Sequence, residues 1–183
     1  MVLVDHQIRK LAKAGLISHF ADYPAVPRQG VISFGLSGCG YDLTLGTSFR
    51  VFKNTGTVVD PKNFDPKNFD VREGDTCVIP PNSFALAESV EYFCIPYNLV
   101  GLVLGKSTYA RCGIVVNFTP LEPGWRGTVT VEVSNTSPLP AIVYAGEGIG
   151  QVLFLRLDGT PEKSYAAKGG KYCDQTGITL PRV

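Results

Sequence analysis

From Val31 onward the chain breaks into short runs rich in Val, Ile, Phe and Thr, separated by Gly, Pro and Asn. That punctuation is the signature of an all-β sandwich or barrel and leaves little room for helix. Residues 5–14, DHQIRKLAKA, are the exception. Ile8, Leu11 and Ala12 share a face, Asp5 is placed to cap, and Gly15 follows as a stop, so a short N-terminal helix is predicted to pack on the sheet. A chain of 183 residues, 44% of them hydrophobic, fits one compact domain over 1–183 with a substantial core.

Within the β region, Gly38-Cys39-Gly40-Tyr41-Asp42-Leu43 suits a tight turn entering a strand through Leu45 and Phe49, a structural use. Residues 61–70 are a tandem repeat, PKNFDPKNFD, whose prolines suit a surface loop. Thr76 to Ile79, a Pro80-Pro81-Asn82 turn and the evenly spaced Phe84, Leu86, Val90 and Tyr92 read as a hairpin. The apolar run 99–104, LVGLVL, reads as a strand buried on both faces that delivers Lys106 and Ser107 at its end. Strands at 113–119 and 127–135 flank the turn Pro120-Leu121-Glu122-Pro123-Gly124-Trp125. In the second, Val129, Val131 and Val133 face one way and Thr128, Thr130 and Glu132 the other. Strands at 140–145 and 148–157 hinge on Gly146-Glu147-Gly148. The tail 164–183 is polar and contains glycines, with no clear period, and is expected to order when a ligand binds.

Charge is balanced, 17 Lys and Arg against 16 Asp and Glu, without the basic block of a nucleic-acid binder. No run reaches the roughly 18 apolar residues of a membrane span, and Asp5, His6, Arg9 and Lys10 stand where a signal peptide is apolar. A cytoplasmic protein without nucleic-acid or membrane partners is expected. The five cysteines (39, 77, 94, 112 and 173) form no CxxC pair, and neither His6 nor His19 has a second ligand at metal spacing.

The candidate chemistry lies between Gly105 and Asn135. Gly105-Lys106-Ser107 puts a glycine and a cation ahead of a hydroxyl that can cap a short helix, where free N–H groups favour an anion. One helical turn would bring Ser107 and Arg111 to the same face and the same ligand. The spacing also fits a helix cap plus a solvated arginine, and the run lacks the GxxxxGK of a P-loop. Glu132 suits a solvated strand position too. On the face of Thr128 and Thr130, near Trp125, a partly apolar cleft would raise its basicity enough to take a proton from water.

The segments GKSTYARCGIVVNFTPLEPGW, TVTVEVSNTSPLPA, GEGIGQVLF and GGKYCDQTGITLP, with VISFGLSGCGYDL, VDPKNF and IPPNSFALAESVEYF ahead of them, resemble the dCTP deaminase family over most of the chain. The resemblance implies a mainly β, dUTPase-like distorted barrel or jelly roll (β-clip) with few short helices, assembled as a homotrimer with active sites between subunits. The implied reaction is hydrolysis of the cytosine amino group of dCTP to dUTP and ammonia, supplying dUTP for dUMP and dTTP synthesis. By resemblance Glu132 is the general base, with Ser107 and Arg111 beside it in catalysis. Lys106, Ser107, Thr108, Tyr109, Ala110, Arg111, Thr130, Val131, Glu132, Gln151, Tyr165, Lys171 and Gln175 bind substrate, the last three from the closing tail. Zinc is not expected, since the H-x-E and P-C-x-x-C pattern of zinc deaminases is missing. Mg²⁺ is expected with the triphosphate, held by phosphate oxygens and water and not by a protein site. dTTP is a possible feedback ligand.

At Cys173-Asp174 the tail departs from the family pattern, and an acid near the phosphates would be mildly repulsive. Two alternatives compete. Glu122 stands near the place of the catalytic aspartate of a dUTPase, one methylene longer, which leaves open a bifunctional deaminase and diphosphatase yielding dUMP and pyrophosphate. A non-catalytic nucleotide-binding regulator of the same fold is the other, although it would not need to keep Glu132, Ser107 and Arg111.

Overall fold

The computed structural model describes residues 1–23, 29–56 and 58–183, and the mainly β expectation holds. The helix α1 (Asp5–Lys13) has Val4 at its N-cap where Asp5 was expected, and Gln7 Oε1 accepts the Val4 N–H at 3.1 Å. Ile8 and Ala12 form its buried stripe, and Gly15 leaves the helix at φ 99°, a left-handed conformation that suits glycine. The strands are β1 (Gly35–Ser37), β2 (Gly40–Phe52), β3 (Phe69–Glu73), β4 (Thr76–Ile79), β5 (Ser83–Cys94), β6 (Leu99–Gly105), β7 (Ile114–Asn117), β8 (Arg126–Asn135), β9 (Ala141–Tyr144) and β10 (Gly148–Arg156). A four-residue helix, α2 (Ser107–Ala110), links β6 to β7. Among the described residues no helix is long and apolar enough to cross a membrane.

The main sheet runs β6-β10-β2-β5-β8-β7, with β1 and β3 also paired to β2. Strand β2 turns the corner. Its first part pairs with β10 and its second with β5 and β3, and the register with β5 shifts between Leu45 and Phe49. At the ends of the path β6 meets β7: a Cβ on Gly105 would lie 3.1 Å from Val116 O, so the backbones touch only because Gly105 has no side chain. The sheet thus curls into a nearly closed barrel around Tyr41, Phe49, Phe93 and Phe154, all fully buried.

Three expectations fail for physical reasons. The hairpin of β4 with β5 does not form: β4 pairs with β9 in a separate two-stranded sheet. Pro80 and Pro81 lack the N–H groups a returning ladder needs, and the buried Asn135 Nδ2 lies within hydrogen-bond distance of the Ile79, Pro80 and Leu139 carbonyls. Strand β6 is buried on one face only. Leu99, Gly101 and Val103 point in, while Leu102 and Leu104 are 38% and 57% exposed. An apolar run does not separate a strand covered by its own chain from an edge strand with an apolar outer face. In β5 a register shift between Glu88 and Tyr92 interrupts the even spacing, sending Ser89 and Glu91 inward and leaving Val90 exposed.

The buried Glu91 carboxyl is satisfied by its own barrel. Oε1 accepts from Tyr41 OH at 3.0 Å and Oε2 from Thr44 N at 2.9 Å, while Tyr41 OH accepts the Ala21 N–H at 3.1 Å. Burial pushes the Glu91 carboxyl above the usual range. Tyr41→Phe is expected to strip one bond from each neighbour and to cost about 1–3 kcal/mol, read as a lower urea midpoint at unchanged slope.

Candidate active site

Strand β8 positions the central carboxylate as its alternation requires. Val129, Val131 and Val133 are buried in the core, and Thr128, Thr130 and Glu132 lie on the other face. That face opens into a cavity of about 370 Å³ walled by Leu86 of β5, by Glu122 and Trp125 of the turn before β8, and by Tyr165, Tyr172 and Gln175 of the tail. Glu132 lies beside Leu86 across β5 and Asn117 across β7. Asn117 Nδ2 donates to Glu132 Oε2 at 3.0 Å. Burial raises the Glu132 carboxyl above the ordinary glutamate range, and the Asn117 hydrogen bond opposes the rise.

The tail is folded onto this face. Gln175 forms a parallel bridge to Gly127, and its O accepts the Thr128 N–H at 3.0 Å. The Gln175 amide donates to Thr128 O at 2.7 Å, and Thr179 N–H to Thr130 Oγ1 at 3.2 Å. Trp125 Nε1–H donates to Tyr172 O at 2.9 Å, anchoring the tail to the turn. Asp174 does not line the cavity; it pairs with Arg126 at 3.0 Å and accepts from Tyr92 OH at 3.3 Å. Among the described residues two buried polar atoms, Gln175 Oε1 and Thr128 Oγ1, have no hydrogen-bond partner.

The second group of candidates sits at the β6–α2 junction and on β10. Lys106 Nζ contacts Asp42 Oδ1 at 2.9 Å, and Asp42 is itself buried. Lys106, not Ser107, is the N-cap of α2, and no side-chain cap bond forms. Ser107, Thr108, Ala110 and Arg111 are exposed, with Arg111 Nη1 donating to Ser107 O at 3.1 Å. Gln151 Nε2 donates to Ser37 Oγ at 2.9 Å. None of Lys106, Ser107, Arg111 and Gln151 lines the Glu132 cavity. One chain therefore brings together Thr130, Glu132, Tyr165 and Gln175, joined by Glu122, and carries the cationic corner apart from them.

Three more of the expected substrate contacts do not line the cavity of one chain. The Tyr109 side chain is turned into the core, where its OH accepts the Tyr144 N–H at 3.3 Å and burial pushes its pKa up to about 12. Val131 is likewise fully buried, so neither side chain reaches the cavity. Lys171 points along the tail to Arg182 O at 3.5 Å and does not line the cavity. Sequence reasoning missed Asn117 and set Asp42 aside as structural. The signal for Asn117 was its place at the end of a strand adjoining β8; for Asp42, it was an acid in a strand otherwise too apolar to hold one unpaired.

The chain is a nearly closed β-barrel of the dUTPase-like class of folds, with its tail drawn over a strand-borne carboxylate. Within it the chain belongs to the dCTP deaminase-like family, whose model matches residues 2–157. It is 56% identical over 184 residues to a dCTP deaminase of Granulibacter bethesdensis, covering 100% of this chain and 99% of that protein. A dCTP deaminase of Campylobacter hominis is 60% identical over 181 residues, 98% of this chain and 94% of that protein. The crystal structure of 2'-deoxycytidine 5'-triphosphate deaminase from Agrobacterium tumefaciens shares the fold at a TM-score of 0.65 and 17% identity, over 84% of this chain and 47% of that one.

Proposed function

We propose that this protein is a dCTP deaminase that hydrolyses the cytosine 4-amino group to give dUTP and ammonia, with Glu132 as general base. The observation that carries the reading is the Glu132 carboxylate, half-buried against Leu86 in a cavity of about 370 Å³ and raised in basicity by that burial. A base held in this way takes a proton from water as the water oxygen bonds to C4. The proton passes to N3. The second proton of the former water then reaches N4 through the same carboxyl, the C4–N4 bond breaks, and ammonia leaves. Gln175 Oε1, a buried acceptor without a donor, suits an amino- or hydroxyl-bearing ligand.

Lys106, Ser107 and Arg111 are proposed to hold the triphosphate and position the water from a neighbouring subunit. In favour of this, they lie at the edge where β6 exposes Leu102 and Leu104, an apolar strip suited to burial against a second copy of the chain. A homotrimer is the assembly the family suggests. Mg²⁺ would travel with the nucleotide and neutralise phosphate charge. Among the described residues no three His, Cys, Asp or Glu side chains cluster as a metal site. Feedback by dTTP is proposed for the same cavity.

Glu122 favours a second reading, since it lines the same cavity as Glu132 and could serve a diphosphatase step. Incubation with dCTP and Mg²⁺, alongside dUTP, CTP and dCMP, separates the two. Deamination alone yields ammonia and dUTP in equal amounts, whereas dUMP with pyrophosphate would mark the bifunctional enzyme. Binding of dCTP without any product would leave a regulator.

A further inference from the structure

We infer that Asn117 is the positioning residue that decides which oxygen of Glu132 receives the proton; the inference rests on the reading of Glu132 as the base. Asn117 is the last residue of β7 and stands directly opposite Glu132 in the β7–β8 register, so both side chains rise on the same face. Its Nδ2–H reaches Oε2 at 3.0 Å. On the other flank the cross-strand neighbour is Leu86, which offers no hydrogen bond. A carboxylate has two equivalent oxygens until something engages one of them. Here Oε2 is engaged by Asn117, which leaves Oε1 as the oxygen without that donor.

The bond survives the reaction. As the water oxygen bonds to C4, one water O–H bond breaks and its proton goes to Oε1, which makes Glu132 a carboxylic acid whose Oε2 is the carbonyl oxygen. A carbonyl oxygen still accepts from an amide, so Asn117 keeps its contact in both protonation states. The carboxyl then need not rotate between taking the proton from water and passing it to the base, and the step involves no change of redox state.

An amide is also the fitting donor for this place. Around Glu132 the cavity of one chain is lined by Leu86 from β5, Thr130 on its own strand, Glu122 from the turn, and Tyr165, Tyr172 and Gln175 from the tail; among the described residues of that chain no Lys, Arg or His lines it. A cation in the place of the Asn117 amide, bonded to Oε2, would lower the basicity that burial confers, whereas no donor at all would leave the carboxyl protonated at higher pH. A neutral N–H lies between these extremes.

The test is the kcat and KM profile for dCTP against pH in the full-length protein, comparing wild type, Asn117→Ala, Asn117→Asp and Glu132→Gln. Asn117→Ala is expected to lower kcat about tenfold with KM within about twofold, because a charge-assisted bond is lost at the reacting group and not at the ligand. Its acid limb of kcat should move to higher pH, since the carboxylate loses a stabilising donor. Asn117→Asp should move the limb further, through repulsion between like charges. An acid limb unmoved in both variants, or a loss confined to KM, overturns the positioning role. If the alanine variant does not fold, the near-isosteric aspartate carries the measurement. Turnover retained by Glu132→Gln would instead strike the base itself, so the two failures are distinguishable.

Discussion

Glu132→Gln is expected to bind dCTP as the wild type does while ammonia release falls by at least about 10²-fold. The glutamine keeps the shape of the side chain, and its carbonyl oxygen can still accept from Asn117, so the cavity is preserved. What it loses is a lone pair able to take a proton at the cavity. A base at Glu132 works only when ionised, and burial raises its carboxyl. Activity should therefore fail on acidification at a higher pH than an ordinary glutamate would require.

The same burial has a consequence for stability. A carboxyl whose pKa is higher in the folded than in the unfolded chain contributes stability below its unfolded value, and that contribution is lost as pH rises through the folded value. At neutral pH the ionised Glu132 is thus a burden that glutamine removes. The variant should be inactive yet at least as resistant to heat as the wild type near pH 7. A melting temperature well below that of the wild type would mean that Glu132 serves the fold and not the reaction.

The second large effect concerns assembly. Arg111→Ala and Glu132→Gln should each be nearly inactive alone, because every site then lacks one component. If Glu132 and Arg111 of one site come from different chains, co-expression of the two variants creates sites in which both are intact. Random mixing then restores about a quarter of wild-type activity per site. A site completed within one chain predicts no recovery at all. The geometry favours recovery, since Arg111 is exposed beside β6 and does not line the cavity that holds Glu132.

The alternation of β8 was legible because a strand with one buried face must alternate, and Thr128, Thr130 and Glu132 could only share the outer face. The short helix at 107–110 and the glycine-rich turn before β2 were legible for similar local reasons. Long-range facts were not. That β4 would leave β5 for β9, or that β6 would end the sheet with an apolar outer face, depends on which strands meet, and hydropathy does not encode it. The inward Glu91 followed from a register shift that no spacing announced. At the candidate site, residue types and resemblance singled out Glu132, Lys106 and Arg111. Register alone revealed Asn117, and packing alone showed that Tyr109 serves the core. The tail was read as polar and without period, but its role rests on single contacts such as Trp125 to Tyr172 O and Asp174 to Arg126.

Two glutamates line one cavity, and assigning the chemistry to Glu132 is the claim on which the rest depends. Ammonia and pyrophosphate measured together, from dCTP and from dUTP, for wild type, Glu122→Gln and Glu132→Gln, test it most directly. The expected result is ammonia from dCTP matched by dUTP, its loss in Glu132→Gln, and no pyrophosphate from any of the proteins. Pyrophosphate and dUMP abolished by Glu122→Gln, with ammonia release intact in Glu132→Gln, would contradict the account.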